Sequence, residues 1–171
     1  MRDWATTERV VESGGFESLQ RVIVDEPVVD ASASGARTLG VTYWRAVDRS
    51  TRGLVRATWS GDGGRLKLLG GATLLTFGPA ELSFEAAEVR CRHAILGGLL
   101  ALRSSGSVTL AQRPFGEQHE LSVLVEEYAP RLAAPAGWPG WAGALYLRGQ
   151  SPFHAAVSRR YFGLLVGSPA A

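Results

Sequence analysis

One cysteine, one methionine and one lysine occur among 171 residues, and each scarcity excludes something. A single thiol, Cys91, cannot close an internal disulfide, so the core must hold the fold and a reducing, cytoplasmic setting is expected. Lys67 is the only lysine; the remaining basic residues are seventeen arginines scattered among sixteen acids, for a formal net charge of +2. Basic residues dispersed in this way form no stripe for a phosphate backbone, so no nucleic-acid partner is expected. No apolar run approaches the roughly 18 residues of a membrane span, and Met1-Arg2-Asp3-Trp4-Ala5 opens no signal-like segment; neither membrane insertion nor secretion is expected. Three histidines and one cysteine show no metal-ligand spacing, and there is no Gly-x-Ser-x-Gly, P-loop or dinucleotide fingerprint. The run Gly61-Asp62-Gly63-Gly64 is too short to cradle phosphate and reads as a hairpin turn. No metal or cofactor is implied.

What the chain does have is alternation and turn chemistry. Residues 1–18 are polar and are read as an N-terminal arm, either with a short helix around Ala5–Glu12 or wholly mobile. From Leu19 onward one domain, 19–171, is expected. After a strand at Leu19–Val24 and a loop around Pro27 and Ala31–Gly35, the patterning predicts strands at Thr38–Ala46, Gly53–Ser60, Arg65–Leu69, Ala72–Phe77, Ala80–Glu85, Glu88–Ala94, Leu99–Arg103, Ser107–Gln112, His119–Tyr128 and Gly143–Arg148. Glycine, proline, serine and aspartate fill the gaps, as tight hairpins require. Val89, Cys91 and His93 oppose Glu88, Arg90 and Arg92, and Leu121, Val123 and Val125 oppose Glu120, Ser122 and Glu126. These strands have one dry face and one wet face. Ser151-Pro152 then caps a helix at 152–166, whose Phe153, Val157, Tyr161 and Leu164 form an apolar stripe. The expected fold is all-β and mainly antiparallel: a small curled sheet or β-barrel with one C-terminal helix packed on it.

A β-meander closed by one C-terminal helix resembles the calycin and lipocalin class, and the small β-barrel cyclases of bacterial natural-product pathways such as the spirotetronate cyclases. The segment from Tyr146-Leu147-Arg148 through Ser151-Pro152-Phe153-His154 to Tyr161-Phe162 also resembles the last strand and long helix of a START-like helix-grip domain, although Glu26–Ala36 is too short for that fold's helix pair. Either resemblance implies an enclosed apolar cavity.

Within such a cavity, candidates for acid or donor chemistry are Tyr43, His93, Glu127 and Tyr146. His93 lies on the apolar face, and an imidazole ordinarily titrates near neutrality, which would suit proton transfer in a cavity, although a satisfied core histidine has the same pattern. Glu127 follows Leu121, Val123 and Val125 in period two and would point inward, or else join a rim ion pair. Lys67 alternates with leucines and is expected in solvent, and His154 on the helix surface. Trp44, Trp59, Phe84, Trp138 and Trp141 are candidate ligand-binding residues, the last two within a Pro/Gly-rich stretch, 129–142, of lid-like length. Packing in an ordinary core would use the same side chains. The function expected is a cofactor-independent cyclase or isomerase shaping an apolar, polyketide-like intermediate by restricting its conformations. The alternatives are a carrier of lipid or another hydrophobic small molecule and a purely structural domain, with a homodimer as the protein partner considered.

Overall fold

A computed structural model describes residues 2–10, 16–69, 71–85, 87–101, 104–128 and 154–167. Its strands are β1 (Arg2–Val10), β2 (Phe16–Val24), β3 (Val55–Ser60), β4 (Gly63–Leu68), β5 (Ala72–Phe77), β6 (Glu81–Glu85), β7 (Glu88–Gly97), β8 (Ser107–Phe115) and β9 (Gln118–Tyr128). Helix α1 (Ala33–Ser50) lies between β2 and β3, and α2 (154–165) follows near the C-terminus. All neighbours are antiparallel, in the order β1-β2-β9-β8-β7-β5-β4-β3, with β6 also on β7. Among the described residues β1 and β3 end the sheet without pairing with each other, so it is curled but not a closed barrel. No helix among them is long and apolar enough to cross a membrane.

Two expected elements take the other conformation. Thr38–Ala46, read as a strand, is the middle of α1. Its β-branched and aromatic residues favour a strand locally, but Ala36, Leu39, Tyr43 and Val47 recur at helical spacing and all are buried, so packing on the sheet decides. Ser32 caps the helix, its hydroxyl accepting from the Gly35 amide at 3.1 Å. At the N-terminus the arm, read as a short helix around Ala5–Glu12 or a mobile segment, forms β1 and pairs with β2 from Trp4↔Val22 to Val10↔Phe16. Leu99–Arg103, read as a strand, is a turn and an isolated bridge over its described part. The expected strand at Gly143–Arg148 lies outside the described residues.

Cross-strand register puts one apolar face under the helices. Its rows run Val22–Leu121–Gln112–Val89, then Gln20–Val123–Leu110–Cys91, then Ser18–Val125–Val108–His93. Helix α1 packs on this sheet at β7, β3, β6 and β8. The two helices meet where the Tyr43 and Tyr161 rings stand edge to face, centroids 5.5 Å apart. On the opposite face Glu120, only 1% exposed, is neutralised by two arginines, with Arg113 Nη2 donating at 2.8 Å and the Arg21 guanidinium at 3.5 Å. A buried carboxylate is tolerated there because both its oxygens meet a cation.

Candidate functional site

Helix α1 could not approach β7 closely with ordinary side chains at every position. At Gly40 the helix backbone passes directly over Cys91 and His93, and a Cβ there would lie 2.9 Å from Cys91 Sγ and 3.5 Å from His93 Nε2. One turn on, Trp44 leaves the same face of α1 and lies beside His93, Phe77 and Trp59, with ring centroids 5.4, 4.9 and 4.8 Å away. Trp59 is held from the other side. Its cross-strand partner on β4 is Gly64, and the indole lies across that residue, where a Cβ would collide with the ring. A helix glycine and a strand glycine thus leave room for two indoles and an imidazole to converge.

Beside them is an open cleft of about 420 Å³ between α1 and the β3/β7 side of the sheet. Gly40, Val41, Trp44, Ala57, Trp59, Ala80, Cys91 and His93 line it, with Arg37, Arg45 and Asp48 also contributing. Trp59 is 39% exposed, whereas Trp44 and His93 are 5% and 3% exposed, so one indole faces outward and the rest of the cluster forms the floor. Asp48 is occupied structurally, accepting from the Ala57 amide at 2.9 Å.

The polar groups on the floor are neutral. Burial holds the His93 pKa below the ordinary imidazole range, with the nearby Gly78 backbone and the Glu81 charge opposing it more weakly. Burial likewise pushes the Cys91 thiol up to about 11 against a smaller downward pull from the Gly40 backbone. Sγ and His93 Nε2 are 3.4 Å apart. A protonated thiol beside a neutral imidazole is the resting state, not a thiolate–imidazolium pair.

Of the four acid or donor candidates, His93 lines this cleft. Tyr43 is on α1 but turns into the helix–helix seam between Trp44 and Tyr161, with its hydroxyl pushed up to about 12 by burial. Glu127 points to solvent, contrary to the alternation of β9. Its φ is +49°, and β9 spends three steps from Val125 to Tyr128 where β2 spends two from Ser18 to Phe16. This bulge gives the inward place to Tyr128, whose hydroxyl donates to the Leu100 carbonyl at 2.8 Å. Tyr146, like Trp138 and Trp141, lies outside the described residues. Of the remaining ligand-binding candidates, Trp44 and Trp59 meet in the cleft, whereas Phe84 pairs with Val89 two rows from His93 and is 47% exposed.

The sequence reading passed over Gly40 and Phe77 and took Cys91 only as a buried thiol. A glycine between Leu39 and Val41 was the available signal, legible only once the segment is known to be helical. No protein-family model matches the sequence, and no curated protein matches it significantly. Among solved structures the chain is similar to CalU16 from Micromonospora echinospora, at 16% identity over 97% of this chain and 98% of that one, TM-score 0.38. It is similar to DynU16, a protein of the dynemicin biosynthetic locus, at 18% identity over 89% and 48% of the two chains, TM-score 0.39. It is also similar to Ara h 8.0201, at 13% identity over 84% and 96%, TM-score 0.41. Likenesses this faint in sequence and shape say nothing about ligand or activity.

Proposed function

We propose that this protein binds an apolar, flat small molecule in the cleft between α1 and the sheet, and that it folds that molecule against Trp44 and Trp59 for a cyclisation or isomerisation. The observation that carries the reading is the half-exposed Trp59 standing over a floor of Trp44 and His93 in a cleft of about 420 Å³. An indole left partly in water beside an apolar cleft gains from covering, and a flat ligand stacked on it supplies the cover. His93, neutral and at the floor, is the ionisable group placed to act on the bound molecule. Catalysis here rests mainly on confinement, since one imidazole and a protonated thiol offer little chemistry of their own. A polyketide-like intermediate, long and able to fold into stacked rings, fits that description.

The second reading is a non-enzymatic carrier of a hydrophobic molecule, and the dispersal of Tyr43 and Glu127 away from the cleft favours it. Ala57 on β3 lines the cleft, so Ala57→Trp should fill it. Native mass spectrometry of the purified protein, with extraction of any copurifying compound, should show an apolar ligand that Ala57→Trp loses, together with loss of Nile red binding. Chemical change of that compound on incubation with wild type supports the cyclase or isomerase; return of the same compound unchanged supports the carrier. Retention of ligand and dye by a folded Ala57→Trp protein would remove this cleft as the site.

A further inference from the structure

The charged residues lining the cleft all come from one helix: Arg37, Arg45 and Asp48 on α1. Asp48 is already engaged by the Ala57 amide. The arginines are not engaged. Among the described residues Arg21, Arg90, Arg92 and Arg113 each pair with a glutamate, whereas Arg37 and Arg45, both exposed, pair with no acid. Glu81, the neighbour of cleft-lining Ala80, is taken by Arg92 at 2.8 Å. The imbalance extends beyond the cleft. Residues 33–68, which supply α1, β3 and β4, hold seven of the eighteen basic residues and only two of the sixteen acids. Arg56 and Lys67 are direct cross-strand partners, a like-charge pairing that costs stability. A chain of formal net charge +2 thus gathers much of its positive charge around this opening, and low-dielectric walls concentrate such a field within a cleft. Helix geometry then separates the two arginines. Arg37 and Trp44 are seven residues apart, so they leave α1 along almost the same line about 10 Å from one another. Arg45 is one turn from Asp48, whose charge offsets it, whereas Arg37 is three turns away, about 16 Å along the axis.

We propose that the molecule taken by this cleft is a flat apolar acid, whose body covers Trp59 above the Trp44 floor and whose carboxylate pairs with Arg37. The proposal rests on the cleft being the ligand site, as argued above, and narrows its ligand to an anion. The planar guanidinium fork matches a carboxylate through two parallel hydrogen bonds, which a point charge does not. Such a pair also fixes which end of the ligand lies at which end of the cleft, so Arg37 is a specificity-determining residue.

The test uses the full chain and two fluorescent probes of the same outline: 1-pyrenebutanoate, a flat body with a carboxylate on a short tether, and 1-pyrenebutanol, its neutral counterpart. At low ionic strength the acid should bind about fivefold more tightly than the alcohol, the order expected for a partly exposed charge-assisted pair. Added salt should shrink that ratio. Arg37→Gln should abolish the preference and leave affinity for the alcohol unchanged, Arg37→Lys should keep part of it, and Arg45→Gln should reduce it less than Arg37→Gln does. Arg65 on β4 is exposed and does not line the cleft, so Arg65→Gln controls for charge alone and should leave the preference intact. Arg37, Arg45 and Arg65 are all exposed, so these variants should fold as the wild type does. Equal affinity for the two probes, or a preference that Arg65→Gln lowers as much as Arg37→Gln, overturns the proposal while leaving the cleft a ligand site. Binding of neither probe overturns the cleft reading and the proposal with it.

Discussion

His93 and His154 are both held in the neutral form by burial, His93 below its ordinary range and His154 down to about 4. The unfolded chain protonates these rings near the ordinary value of about 6.5. Between the two values the unfolded state therefore binds more protons, and stability rises with pH. It should be fully present above about pH 6.5 and decline as pH falls toward 4, by at most about 1.4 kcal/mol per unit for the buried His93 and by less for the half-buried His154. Urea midpoints measured from pH 7.5 down to pH 5, above the range where carboxylates titrate, should show that decline. His154→Gln should flatten it in part; a midpoint independent of pH over this span would mean that neither ring is as desolvated as its position implies. Of these residues, His93 was legible in the sequence because period-two alternation puts it with Val89 and Cys91. Glu127 was misleading for the same reason: alternation extrapolates through a bulge, and nothing in Val125-Glu126-Glu127-Tyr128 announces the left-handed residue that reverses it.

At the level of elements, α1 illustrates how packing overrules local preference. A glycine inside a helix costs about 1 kcal/mol relative to alanine, so Gly40→Ala would stabilise an isolated helix. Here the added methyl meets Cys91 Sγ at 2.9 Å, and neither the short thiol side chain nor the strand behind it yields easily. Overpacking of this kind costs about 1–3 kcal/mol, so the net change should be destabilising by up to about 2 kcal/mol. Gly40→Ala combined with Cys91→Ala should recover most of that loss in a double-mutant cycle. Additive effects of the two substitutions would separate the helix from β7 at this point. The strand elements were far easier to read than α1. Ala72–Phe77 was placed residue for residue because Gly71 and Gly78 bound a short run rich in threonine and leucine, and Glu81–Glu85 and Glu88–Gly97 came close because both alternate between apolar and polar residues. For Thr38–Ala46 strand propensity and helical periodicity disagreed, and only the presence of a sheet to pack on resolves them.

Across the whole molecule, β7, β8 and β9 occupy the middle of the sheet and carry most of the buried rows, whereas β1 and β3 are its free ends. Hydrogen exchange should follow that order: amides of Cys91, Leu110 and Val123 should open only near global unfolding, and those of β3 and β1 should exchange well before them. Protection of β3 equal to that of β8 would mean that β3 is not a free end of the sheet. What the sequence by itself determined is the antiparallel sheet, its dry face, the turn positions and the C-terminal helix, since these depend on periodicity and on residues with fixed backbone preferences. Tertiary structure alone decided that 38–46 is helical, that the N-terminal segment is a strand, that Glu127 faces out, and that Trp44, Trp59, Cys91 and His93 come together. The physical reason is the same in each case. A local pattern fixes which side of an element is apolar, but which element lies against that side is set by contacts between residues dozens of positions apart.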